Sequence, residues 1–144
     1  GLLIFQYVFN KVGELEKHRL CYFPCFALPA IDEAPELYEN DELYGDVVLK
    51  RLVRFPIRFD YDPKSHLDVD HPICHLTLGQ YENCRIPVEG AVGPNAFVMF
   101  LLRNFYGRSY RKNKNALNRK AHFIPVTQSL TSAERRIAHF MTGC

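Results

Sequence analysis

Apolar and polar positions alternate strictly along two stretches of the chain. In Arg54 to Asp62, Phe55, Ile57, Phe59 and Tyr61 interleave with Arg54, Arg58, Asp60 and Asp62. In Ile73 to Leu78, Cys74, Leu76 and Leu78 interleave with Ile73, His75 and Thr77. A period of two marks a strand with one buried face. Two such strands joined by the polar loop Pro63 to Asp70 pair most simply as a hairpin, which places Arg54, Arg58, Asp60, His71, His75 and Thr77 on one face, with Arg85 joining from the next strand. Further strands are predicted over Leu2 to Phe9, Arg19 to Leu28 and Cys84 to Val88. Pro24 forces an edge or a bulge in the second of these.

The period then changes. Gly93-Pro94 opens a helix, and Phe97, Phe100, Leu101 and Phe105 fall on one helical face. Gly107 reads as its stop. Near the C-terminus, Thr131 and Glu134 have the spacing of a capping box, which predicts a second helix with Ile137, Ala138 and Met141 buried. Strands first and helices later give an α+β fold: a mainly antiparallel sheet of about five strands packed on one main helix, with a second, C-terminal helix.

The chain of 144 residues fits a single domain over 1–144. Its opening on an apolar strand without an initiator methionine suggests missing upstream residues. Eleven Phe and eight Tyr exclude disorder of the whole chain. Net charge of +2 argues for no particular partner, but the distribution is polarised. Asp32 to Asp46 holds seven acids and no Lys or Arg, within an acidic surface insert spanning 29–46. Arg103 to Lys120 holds seven basic residues and no acid. Two electrostatic surfaces are implied. Five cysteines make a poor disulfide framework and suit a reducing cytoplasm. No stretch approaches the roughly 20 apolar residues of a membrane span.

The strings RFDYDP, HPICHLTLG, NCRIPV, GPNAFVMFLLRNFY and LTSAERRIAHF resemble, in that order, an uncharacterised bacterial domain family of unknown function. The resemblance covers roughly the last two thirds of the chain. It implies a bacterial or prophage-type source and a domain that starts further upstream. It carries no established activity, so it transfers no catalytic residue.

Three sets of residues carry candidate chemistry. On the hairpin's polar face, His75 suits acid or base work near neutral pH, Arg58 and Arg85 suit a phosphate, and Asp60 lies among them. Together they fit metal-independent RNA cleavage. The competing account is a solvated face with ordinary cross-strand ion pairs. In the basic stretch, Tyr110, Arg111, Lys112, Lys114, Arg119 and Lys120 combine cations with rings, as single-strand nucleic-acid binders do. The competing account is a solvated helix end. Zinc at His71, Cys74, His75 and Cys84 is disfavoured, because an extended strand sets the two histidines roughly 13 Å apart and zinc needs each nitrogen at about 2 Å. No metal or other cofactor is expected, and the cysteines read as buried free thiols.

The resulting expectation is a cytoplasmic, nucleic-acid-acting protein, in its most concrete form a small ribonuclease of toxin or phage-defence type acting on RNA. The alternative is a non-enzymatic protein-interaction module of a bacterial assembly. The residues leave open whether it is an enzyme.

Overall fold

The computed structural model describes residues 1–24, 32–40, 53, 55–81, 83–117 and 128–136. Five strands form one antiparallel sheet in sequence order: β1 (Leu2–Phe9), β2 (Leu15–Phe23), β3 (Ile57–Tyr61), β4 (Cys74–Leu78) and β5 (Ile86–Pro87). Helix α1 (Pro35–Asn40) lies between β2 and β3, and α2 (Pro94–Phe105) and α3 (Gly107–Leu117) follow the sheet. The α+β architecture is as expected.

The predicted hairpin pairs β3 with β4 in a register that sets Phe59 opposite Leu76 and Asp60 opposite His75. Each row continues across the sheet, because directly paired residues share a face. Leu20, Phe59, Leu76 and Ile86 form an apolar row. Arg19, Asp60, His75 and Pro87 form the row on the other side.

Helix α2 covers the apolar face. Phe97 is fully buried and Leu101 nearly so, and the Phe97 ring meets Phe5 and Phe59 edge-on at 5.9 and 5.8 Å. Phe100 and Phe105 pack against the same core. All four predicted apolar positions of this helix therefore face inward. Gly93 stands at its N-cap and Pro94 opens it.

Two sequence expectations shift. Strand β2 starts at Leu15, four residues early, because His18 counts as polar in a pattern yet lies on the apolar face at 0 % exposure. Gly107 does not end the helical region: Tyr106 caps α2, and Gly107 begins α3. The basic stretch is thus helical through Leu117, while Arg119 and Lys120 lie outside the described residues. Of the predicted C-terminal helix, a 3-10 turn over Glu134–Arg136 is described, and Ile137, Ala138 and Met141 lie outside. Of the acidic insert, residues 32–40 are described and contain α1. Among the described residues no helix is long and apolar enough to cross a membrane.

Candidate functional site: an arginine-lined groove on the polar sheet face

The face of the sheet opposite α2 gathers the titratable groups. Asp60, buried at 6 % exposure, sits between two arginines. Arg58 Nε donates to Asp60 Oδ2 at 2.5 Å, and Arg19 Nε donates to Oδ1 at 2.8 Å. Both contacts use Nε, so Asp60 fixes each of these half-exposed guanidinium groups through its stem side. The charges of Arg19, Arg58 and Asp60 sum to one net positive charge, and Arg85 adds another.

His75 lies in the same row but is nearly sealed, at 2 % exposure. Its Nδ1 is 3.0 Å from the Pro72 carbonyl oxygen. A carbonyl only accepts, so Nδ1 carries the proton. Its Nε2 is 3.7 Å from Asp60 Oδ2. Burial pushes the His75 pKa down, and this outweighs the pull of the Pro72 carbonyl and the Asp60 carboxylate.

The His71 ring packs edge-on against His75 with centroids 4.9 Å apart. The extended-strand spacing of roughly 13 Å fails here because β4 begins only at Cys74. His71 belongs to the preceding loop, where it bridges to Leu67. Of the thiols expected to be buried, Cys21 and Cys74 are so, Cys84 is half-buried, and Cys25 and Cys144 lie outside the described residues. Cys21, Cys74 and Cys84 are free, the Cys74 thiol donates to the Gly90 carbonyl at 3.0 Å, and burial pushes its pKa up to about 12. Cys84 Sγ accepts the Leu78 N–H at 3.4 Å. Neither thiol is a free ligand.

Beside the Asp60 row opens a cavity of about 410 Å³ lined by Arg58, Arg85, Thr77, Cys21, Gln80 and Tyr81, among others. Among the described residues its lining holds two arginines and no carboxylate. Arg85 is braced by Nη1 donating to the Asp70 carbonyl at 3.2 Å. Tyr81 stands at the mouth with 75 % of its surface exposed. It follows the turn at Gly79, whose φ of +70° favours glycine. A Cβ at Gly79 would also come within 3.2 Å of the Tyr81 ring.

The structure therefore brings Arg58, Asp60, His75 and Arg85 onto one face, with Arg58 and Arg85 lining the groove. Arg54 lies outside the described residues. Sequence reasoning missed Arg19 and Tyr81. Arg19 follows from extending the β2 alternation upstream, whereas a single tyrosine in a turn carries no signal of its own. The basic helix α3 belongs to the other side of the molecule. It continues from α2, and Tyr106 at the junction hydrogen-bonds the Tyr22 hydroxyl in the sheet. Arg111, Lys112 and Lys114 are exposed and Tyr110 is half-buried.

A family model described as an uncharacterized conserved protein, DUF2290, matches residues 1–142. The chain belongs to that family. No curated protein and no solved structure matches it. DUF2290 spans both the groove and the basic helix, so neither feature is an appendage to the matched region.

Proposed function

We propose that the protein binds single-stranded nucleic acid, with the groove on the polar sheet face as the primary site. The observation that carries this reading is the convergence of two arginines and an exposed ring on one cavity without a carboxylate in its described lining. Arg58 and Arg85 supply forked donors for a phosphate. Tyr81 offers a face on which a base stacks, and Gln80 offers hydrogen bonds to its edge. Asp60 holds Arg58 and Arg19 in place, and His75 packs behind Asp60. The exposed cations of α3, on the other side of the molecule, add only to the long-range positive potential that draws a strand in.

This reading gives His75 a supporting part. A ring at 2 % exposure with Nδ1 committed to a backbone carbonyl offers little to a scissile phosphodiester, so binding draws more support from the geometry than hydrolysis does. Within the same reading, a toxin or phage-defence role is one setting in which capture of RNA serves a bacterium.

The test is a fluorescence-anisotropy titration of a labelled single-stranded RNA decamer at several salt concentrations. Binding is expected to weaken steeply with salt, and Arg85→Ala is expected to flatten the log–log slope by about 0.7, the loss of one phosphate contact on a single strand. Absence of binding at low salt, or an unchanged slope in Arg85→Ala, removes the proposal.

The second reading, a protein-interaction module, is favoured by β1. This edge strand exposes Leu2, Leu3, Ile4, Phe5, Val8 and Phe9, and an apolar edge is a template for strand addition. Association through it would be nearly indifferent to salt.

A further inference from the structure

A second cluster of ligating groups lies away from the groove, where the loop between β3 and β4 meets the segment 128–136. That segment is stitched to the end of β5. Ser129 N–H donates to the Glu89 carbonyl at 2.7 Å, and its hydroxyl donates to the Val88 carbonyl at 2.8 Å. The predicted capping box then forms in both directions. Thr131 N–H donates to Glu134 Oε2 at 2.9 Å, and Glu134 N–H donates to Thr131 Oγ1 at 3.1 Å. Thr131 also donates its hydroxyl proton to Asp68 Oδ1 at 2.5 Å. One threonine thus orients two carboxylates from distant parts of the chain.

The capping box uses only one oxygen of Glu134. The other, Oε1, is buried on a side chain with 0 % exposure and receives no hydrogen bond among the described residues. It faces His66 Nε2 at 3.5 Å, also buried and without a hydrogen bond among the described residues. A carboxylate oxygen withdrawn from water without a donor is costly to a fold. A cation between the two atoms removes that cost. An ion bonded at about 2.1 Å holds neighbouring ligand atoms roughly 3.0–3.4 Å apart, close to the spacing already present. His66, Asp68 and Glu134 each present a ligand atom within 4.8 Å of the others, and rotation of the exposed Asp68 closes the remaining distance.

We infer that His66, Asp68 and Glu134 form a binding site for a first-row divalent transition-metal ion. The donor set decides the class. One imidazole nitrogen with two carboxylates suits manganese, iron or zinc, whereas magnesium and calcium prefer oxygen throughout. Asp68 lies at the surface, so the remaining coordination positions face solvent. The ion would cross-link the β3–β4 loop to the C-terminal segment, about 65 residues apart in sequence, and its binding adds directly to fold stability.

Manganese is the probe of choice, since a hard ion has little affinity for the free thiols at Cys21, Cys74 and Cys84. Free and bound Mn²⁺ are separated by electron paramagnetic resonance, alongside thermal unfolding with and without the ion. The variants are His66→Gln, Asp68→Asn and Glu134→Gln. The last keeps an oxygen for the Thr131 N–H, and the first two alter partly or fully exposed side chains, so folding is retained in at least these. The expected result is one equivalent of Mn²⁺ on the wild type, displaced by Zn²⁺ and accompanied by a rise in Tm. Each variant is expected to weaken binding at least tenfold and to lose the rise. No binding at millimolar Mn²⁺, or equal binding in all three variants, overturns the assignment and leaves a direct His66–Glu134 contact.

Discussion

The two faces of this sheet each bury a histidine, and they use it differently. On the apolar face, His18 is fully buried between the rings of Tyr7 and Tyr61, and its Nε2 accepts the Val92 N–H at 2.9 Å. It ties the loop before α2 to the sheet. On the polar face, His75 backs onto Asp60, which in turn holds two arginines beside a groove. One imidazole completes a core and the other supports a charged site. Residue type did not set the difference. The row of the sheet did, since His18 shares its side with Leu20 and Phe59, and His75 shares its side with Asp60 and Arg58.

The comparison breaks first where packing is densest. Phe97→Ala removes the ring that meets both Phe5 and Phe59, and is expected to cost about 3–5 kcal/mol in denaturant unfolding. A loss below about 1 kcal/mol would mean that α2 does not seal the apolar face.

Acid titration reads both buried histidines, and a variant of one separates them. Burial, partly opposed by the Asp60 charge, lowers the His18 pKa from 6.5 to about 4. The unfolded chain takes up a proton near pH 6.5 and the folded chain not until about pH 4. Stability is therefore complete above pH 6.5 and falls as pH drops towards 4. At about 1.4 kcal/mol per pKa unit the loss is up to about 3 kcal/mol. His75, also lowered, adds in the same direction. His18→Gln, which keeps an acceptor for Val92, is expected to be less stable at pH 8 but to show a flatter acid limb. An unchanged limb would locate the titration elsewhere.

On the polar face the expected effects appear in binding rather than in folding. Tyr81→Ala removes a largely exposed ring and is expected to weaken RNA binding by about 1–3 kcal/mol, with stability altered by less than about 0.5 kcal/mol. A large stability loss with binding intact would make Tyr81 a packing residue. The smallest effect is expected at the rim, where the largely exposed Lys64 pairs with Glu16 at 3.2 Å. Lys64→Ala is expected to change stability by under about 0.5 kcal/mol in thermal unfolding.

Alternation makes the hairpin legible in the sequence. The period of two puts Phe59 and Leu76 on one side of the sheet and Asp60 and His75 on the other, and the helical period places Phe97, Phe100, Leu101 and Phe105. The capping box of Thr131 and Glu134 is equally readable, because its spacing is local. His18 escapes such a pattern, which scores a residue by its polarity, whereas packing between Tyr7 and Tyr61 and the Val92 hydrogen bond hold the ring in the core even though its Nδ1 has no hydrogen-bond partner among the described residues. The His71–His75 contact stays hidden because the strand spacing assumes an extended chain across Pro72. The triad of His66, Asp68 and Glu134 leaves no trace, since its members meet only through the way 128–136 docks on β5. The groove is half visible: its arginines follow from the strand pattern, but Tyr81 depends on where a turn points.

Photocrosslinking tests the central claim most directly, because it asks which surface touches the ligand. The protein would be irradiated with a bound single-stranded oligouridine and the adducts located by mass spectrometry. A groove that holds the strand predicts crosslinks centred on Tyr81, lost in Arg58→Lys together with Arg85→Ala. Adducts confined to Tyr110 and its neighbours on α3, or none above an unbound control, would contradict the account.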